Sequence, residues 1–329
     1  MLPHHKKIKD SLIYRASERP GYEKCNGCRV CTLPCPVWHQ THDMSLTLCG
    51  RARALQCGAS PGDIRESIMA CVLCGACESV CPFGIDTLGM TMDLRHMLDE
   101  KESTPSSGRE AVPRERSDFR VYKRKIIPGR ALRSDARLMN IIHDLFVNNE
   151  TVISEDDGDD ISLAVESGSP VSEWRKNEFT GSLAGAEELI VAEGILQRVL
   201  RKWMPLKITG LGMALLNKAG VRASLGPSDL YIIEASGYNS YYKDMVSEYD
   251  LIRRETGCQM NIDLHRSAIP TGSVSPGSNA VSPEEQARWI IKGRRFKRII
   301  VESPEDIEIF KRVTDSDVIH VLELIKGDL

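Results

Sequence analysis

No stretch of this chain approaches the ~18 uninterrupted apolar residues that a membrane-spanning helix needs, so no direct membrane span is expected. Residues 1–14 are charged and carry no apolar core ahead of a small-residue cleavage site, which argues against a secretory signal. Net charge is almost absent: 43 Lys and Arg stand against 46 Asp and Glu, a formal balance of −3. That balance argues against a general nucleic-acid binder. G-x-G-x-x-G and P-loop patterns are also missing, which removes the usual signatures of nucleotide binding. A soluble, cytoplasmic protein is expected, and 329 residues suffice for roughly two domains.

What the chain does have is cysteine. There are 11, of which 10 lie between Cys25 and Cys81. A disulfide scaffold is usually a small secreted chain, so disulfides are not the natural reading. The spacing is more informative: Cys25-x2-Cys28-x2-Cys31-x3-Cys35-Pro36 is followed by Cys71-x2-Cys74-x2-Cys77-x3-Cys81-Pro82. A cubane iron–sulfur cluster needs four thiolates, and two-residue gaps let one loop reach three irons. In two-cluster ferredoxins the fourth cysteine, before proline, ligates the other cluster. The expectation is therefore two [4Fe-4S] clusters, one on Cys25, Cys28, Cys31 and Cys81, the other on Cys71, Cys74, Cys77 and Cys35. Gly27, Gly75 and Ala76 are small where side chains would crowd the cube. C-x2-C pairs also bind zinc, but zinc gives no reason for a duplicated run ending in proline. Cys49, Cys57 and Cys258 are left over and read as small buried hydrophobes.

Organisation follows from composition. Between the cysteine runs, which start 46 residues apart, Ser60-Pro61-Gly62-Asp63 predicts a helix start, with Ile64 and Ile68 one turn apart. Asp86 can cap a helix whose Met90, Leu94, Met97 and Leu98 share a face. Residues 1–100 thus read as an all-α, helical two-cluster ferredoxin domain. Residues 101–160, polar and basic at first (Arg109 to Arg133), then acidic (Glu155 to Asp160), read as a linker region. The acidic run lacks the full calcium-loop pattern.

Residues 161–329 change character. Val- and Ile-rich runs at 188–192, 229–234, 298–301 and 318–321 alternate with helical patterns, and Ser282-Pro283-Glu284-Glu285 is a capping-box start. One ungapped shift of 110 residues lays Leu189-Ile190-Val191 on Ile299-Ile300-Val301, and Ile208 on Val318, so an internal duplication is expected. The fold class is an α+β multidomain chain: an all-α ferredoxin domain and a duplicated α/β domain.

The N-terminal 100 residues or so, through their eight cysteines and above all Cys71-Val72-Leu73-Cys74-Gly75-Ala76-Cys77-Glu78-Ser79-Val80-Cys81-Pro82, resemble the helical two-cluster ferredoxin domain of heterodisulfide reductases. They are also similar to the iron–sulfur subunits of anaerobic glycerol-3-phosphate dehydrogenase, glycolate oxidase and succinate dehydrogenase. The C-terminal half more faintly resembles the duplicated cysteine-rich domain of heterodisulfide reductase and glycolate oxidase subunits. The thiolates expected there are missing: the family's C-P-x-C reads Ser303-Pro304-Glu305-Asp306, and its Gly-rich turn reads Thr271 to Ser278. Serine and aspartate replace thiolate poorly.

The resemblance implies an electron-transfer subunit of an anaerobic oxidoreductase complex rather than a catalytic one. Its partners would be redox proteins: a flavoprotein or iron–sulfur donor, and a catalytic or membrane-anchor acceptor. The last would give peripheral attachment to the inner face of the membrane. Three alternatives stay open: the iron–sulfur subunit of a quinone-linked dehydrogenase, a structural cluster-bearing assembly factor, and an enzyme with an anion site in the Thr271–Asn279 turn ahead of the Ser282 helix. Of the remaining residues, His39 and His42 form a weak metal pair and His320 reads as a core or edge histidine. Trp38 reads as a shield over a cluster, and Tyr238, Tyr241 and Tyr242 as surface packing.

Overall fold

In a computed structural model, residues 21–102, 122–263, 265–271 and 280–325 are described. The first of these segments has no strand. Short 3-10 turns at Tyr22–Lys24 and Val30–Thr32 bracket the first cysteine loop, and α1 (Pro36–Thr41) begins on the proline of the first run. Proline suits that place because its missing N–H is one that the first helical turn leaves unbonded anyway. Then come α2 (Leu48–Gln56), α3 (Arg65–Ala70), α4 (Ala76–Ser79) and α5 (Thr87–Glu102).

The helix expected to start at Ser60 begins five residues later. Asp63 Oδ2 accepts from both the N–H (2.8 Å) and the Oγ (2.7 Å) of Ser60, closing a turn over 61–64. Asp86 does cap α5, its Oδ1 accepting from Gly89 N at 2.8 Å. Met90, Leu94 and Leu98 on one face pack with Ile68 and Leu48, while Leu88 and Met92 on the other enter the core of the α/β half.

The rest of the chain forms two four-stranded parallel sheets. In the first, β1 (Arg124–Ile127), β2 (Thr151–Ile153), β3 (Glu188–Val191) and β4 (Lys207–Gly210) run in the order β2-β1-β3-β4. In the second, β5 (Asp229–Ile232), β6 (Gln259–Met260), β7 (Arg298–Val301) and β8 (Asp317–His320) run β6-β5-β7-β8. The two sheets thus share one strand order. Their central pairs also start alike, Arg124 opposite Glu188 and Asp229 opposite Arg298, each joined by an ion pair (3.1 and 2.9 Å). β3 and β7, and β4 and β8, lie 110 residues apart.

The reading of 101–160 as a linker is corrected beyond residue 122. That segment supplies the central strand β1, helices α6 (Gly129–Arg133) and α7 (Ala136–Phe146), and the edge strand β2. β1 is four residues long and opens on basic side chains, and its stability comes from parallel neighbours distant in sequence. Residues 103–121 lie outside the described residues.

Helices cover the sheets: α8 (Asp159–Ser167), α9 (Glu173–Ser182), α10 (Gly194–Trp203), α11 (Leu211–Leu216) and α12 (Ala219–Ala223) in the first unit. The second carries α13 (Ala235–Ser240), α14 (Tyr242–Thr256), α15 (Pro283–Ile291) and α16 (Glu305–Lys311). Ser282 caps α15 as expected, its Oγ accepting from Glu285 N at 3.3 Å. One core joins Ile126 and Ile190 of the first sheet to Tyr231 and Ile300 of the second. Among the described residues no helix is long and apolar enough to cross a membrane.

Candidate functional site

The first cysteine loop turns through two left-handed residues, Gly27 (φ +80°) and Arg29 (φ +64°). Its cover is α2. Gln56 Nε2 donates to Tyr22 O (2.8 Å) and to Cys25 O (2.7 Å), pinning the helix to the loop. Cys28 is exposed, Cys25 and Cys31 are half-buried, and Cys49 on α2 is buried. Burial pushes the Cys31 thiol up to about 12, and the sulfurs of Cys49, Cys35, Cys25 and Cys28 add to the rise in that order.

The second loop lies deeper. Leu73 (φ +54°) and Gly75 (φ +71°) turn it left-handed, and its carbonyls are taken by side chains from the helices around it. Arg95 Nη2 donates to Cys71 O (2.5 Å), Ser236 Oγ to Leu73 O (3.0 Å) and Asn239 Nδ2 to Cys74 O (3.0 Å). Cys35, Cys71, Cys74 and Cys77 line a single cavity, with Pro36, Val37, Leu48, Leu88 and Arg51 filling its walls. Burial raises the Cys35, Cys74 and Cys77 thiols, and neighbouring sulfurs raise them further. Crowded thiols in an apolar pocket hold their protons until a cation replaces them, so loading the site releases protons. Among the described residues no three His, Cys, Asp or Glu side chains converge as a single-ion site requires.

Two buried arginines test whether this cavity suits a cluster, which with four thiolates is anionic. Arg51 lines it and Arg95 stands beside Cys71; both are 2% exposed. The Nε of each is buried without a hydrogen-bond partner. Unmatched cationic donors around soft thiol donors fit an anionic iron–sulfur group. At Gly75 the crowding comes from the α/β half: an added Cβ would stand 3.3 Å from Asn239 Cβ.

Cys81 is half-buried two residues beyond α4, in a turn in which its carbonyl accepts from Gly84 N at 3.1 Å. Of the other leftover cysteines, Cys258 sits in the core as expected and Cys57 is exposed, which corrects its reading as a buried hydrophobe. Trp38 does not line the cavity; its ring meets His42 edge-on at 5.7 Å, while Pro36 and Val37 do the shielding. His39 stacks on Trp289 at 3.8 Å and its Nε2 bonds Leu33 O (2.7 Å). His320 is a core histidine, fully buried. Tyr238 is buried, its hydroxyl donating to Arg266 O at 2.8 Å, which corrects the surface reading. Tyr241 lies under the Arg201 guanidinium at 3.4 Å, and Tyr242 donates to His265 O at 3.2 Å.

The α/β half reaches the second loop through Arg198 on α10, 4% exposed. Its guanidinium bonds Asp86 Oδ1 (2.5 Å), Glu78 Oε2 (3.3 Å) and Ser240 Oγ (3.4 Å). Glu78 directly follows Cys77 and Asp86 caps α5, so one cation joins three segments around the cysteines.

A second cavity opens where β1, β3, β5 and β7 end. Asp159, Glu166, Glu193, Glu234, Glu302 and Glu305 line it beside Arg130. Burial lifts Glu166 to about 7 and Glu234 to about 8. Ser303, Pro304, Glu305 and Asp306 are on this wall, and among the described residues no cysteine is. The turn at 272–279 lies outside the described residues.

Residues 21–85 match the family model for a 4Fe-4S dicluster domain. This is an iron–sulfur protein. Both cysteine runs fall within the match, which also covers α1 to α4. No curated protein and no solved structure matches the chain.

Sequence reasoning missed Arg51, Arg95, Thr87 and Arg198 as parts of the iron–sulfur unit. Arg95 left a signal: it shares a helical face with Leu88, Thr91 and Met92, where an unpartnered cation would be costly. Thr87 Oγ1 lies 3.0 Å from Cys77 Sγ, a contact that spacing alone does not reveal.

Proposed function

We propose that the protein is the electron-transfer subunit of a heterodisulfide reductase-like oxidoreductase complex, relaying single electrons through two [4Fe-4S] clusters from a redox partner to an acceptor subunit. Cys25, Cys28, Cys31 and Cys81 would hold one cluster, and Cys71, Cys74, Cys77 and Cys35 the other. Each cluster would supply reversible one-electron chemistry at a potential set by burial, charge and hydrogen bonds to sulfur.

The observation that carries this reading is the cavity that brings Cys35, from the first run, together with Cys71, Cys74 and Cys77. Sharing a fourth ligand between runs is what places two clusters side by side. The chain's own residues also give the relay a direction. Cys28 is exposed, so the first loop presents itself to a partner, whereas the second is covered by α13 and α10. Arg51 and Arg95 offset the added negative charge at the buried position, and apolar walls exclude water.

The C-terminal half then acts as a docking module built from a duplicated α/β unit, a reading supported by the common strand order and the 110-residue spacing. Location in the cytoplasm, with any membrane contact made through a partner, fits this role.

Anaerobic reconstitution tests it. About eight irons and eight sulfides per chain, with a reduced EPR spectrum showing spin coupling between two clusters, are expected. Zinc, or about four irons, would overturn it.

A further inference from the structure

We propose that Arg51 and Arg95 are positioning residues for the transferred electron. They are two fixed positive charges beside the second cysteine loop that give its cluster the higher midpoint potential, so that an electron entering at the exposed first loop comes to rest at the buried one. The inference rests on the two-cluster reading above and adds to it an order of potentials and the residues that set it.

Arg51 on α2 lines the cavity of Cys35, Cys71, Cys74 and Cys77, and Arg95 on α5 reaches the same loop. Nη1 of Arg51 donates to Ser67 O, and Nη2 of Arg95 to the next carbonyl, Ile68 O (3.5 Å), and to Cys71 O (2.5 Å). Both side chains are 2% exposed, and the Nε of each has no partner. Among the described residues neither forms an ion pair, whereas Arg198, also buried, has two. Nη1 of Arg95 holds Glu166 O, and the Glu166 carboxyl also acts on it. Burial lifts that carboxyl to about 7, so at neutral pH it is only partly ionised.

Tying down carbonyls does not require charge. In the same loop the neutral side chains of Ser236 and Asn239 hold Leu73 O and Cys74 O. A buried cation costs far more than a neutral donor unless an anion stands against it, and two on neighbouring carbonyls also repel each other. The counter-charge that suits them is the anionic group that the thiolates of this cavity would hold. Arginine keeps its charge at every working pH, and away from water that charge acts several-fold more strongly. Reduction adds one negative charge, so fixed cations favour the reduced state and raise its midpoint.

The first loop has no such pair. Arg29 and Arg53, the arginines beside it, are exposed, so water and salt screen them. Burial alone would make the second cluster the harder one to reduce, because the more negative state loses more hydration. Two unscreened charges, together with the Thr87 hydroxyl 3.0 Å from Cys77 Sγ, reverse that order.

The test is redox titration followed by EPR on the full-length chain, reconstituted anaerobically. Cys28→Ser marks the first cluster, whose signal it alters; the signal it leaves alone should have the higher midpoint in wild type. R51M and R95M should each lower that midpoint, by about tenfold in the ratio of reduced to oxidised at a fixed potential, or about 59 mV for one electron. The other midpoint should move much less. R51K and R95K, which keep the charge, should stay near wild type. A second cluster with the lower midpoint in wild type would overturn the proposal. So would Met variants that hold about eight irons at unchanged midpoints, or Lys variants shifted as far as their Met counterparts. If the Met variants take up no iron, the wild-type order and the Lys variants, which must keep that order, decide instead. Wild-type protein that never reaches about eight irons would refute the two-cluster reading itself.

Discussion

Thr87 Oγ1 lies 3.0 Å from Cys77 Sγ, at the first residue of the helix that also carries Arg95 to the carbonyl of Cys71. With Cys77 ligating as thiolate, the hydroxyl donates. A hydrogen bond to ligand sulfur stabilises the reduced, more negative state and raises the potential. Thr87→Val removes the donor with little change in shape. At about 0.5–1.5 kcal/mol for the bond, the second cluster's potential should fall by roughly 20–60 mV. Redox titration followed by EPR reads this directly, and an unchanged midpoint would show that the contact is not made in the loaded protein.

Arg198 links the two halves through buried ion pairs. Replacing it with Met takes the guanidinium away from the buried Glu78 and Asp86, while Lys202 stays 3.9 Å from Asp86, and breaking a buried pair of this kind costs about 3–5 kcal/mol. Urea unfolding should show that loss. Adding Glu78→Gln and Asp86→Asn should recover much of it, because the carboxylates then no longer need compensation. A single variant as stable as wild type would mean that the network does not hold the halves together.

Gly75→Ala should loosen the second loop. Its φ of +71° disfavours a side chain, and the new Cβ would press on Asn239. About 1–3 kcal/mol of destabilisation is expected. Visible absorption should bleach sooner on warming than in wild type. Gly58→Ala has the same strained backbone but open space around it, so it separates backbone strain from crowding.

His320 makes stability depend on acid. Its Nε2–H donates to Glu302 O (3.0 Å) while Nδ1 accepts from Leu322 N (3.2 Å), an arrangement only the neutral ring can make. Burial holds its pKa down at about 4. The folded value lies below the unfolded one, so its contribution is complete above about pH 6.5 and is lost as pH falls toward 4, about 3 kcal/mol in all. Urea midpoints measured between pH 7.5 and 4.5 should fall less steeply in His320→Gln, which keeps a donor and an acceptor but does not titrate.

The cysteine runs were legible because ligands of one loop are neighbours in sequence, and spacing alone encodes them. Caps such as Asp86 and Ser282 were legible for the same reason, as were β3 and β7, whose buried runs are nearly continuous. Ser60 misled because Asp63 satisfied it in a turn before any helix began. β1 was hidden because Arg124 and Lys125 extend a basic tract and its partners lie 27 and 64 residues downstream. Arg51 and Arg198 act across distances that no local pattern records. Each matters through what the fold brings to it.

The clasp of Ser236 and Asn239 over Leu73 and Cys74 sets an order of events for biogenesis. Those two side chains come from a helix made some 160 residues after the loop they cover. Once they close, the C-terminal half covers the deeper cysteine loop. A cluster held there, as proposed, would take in its iron and sulfide before that cover forms, and folding of the C-terminal half would then lock it in.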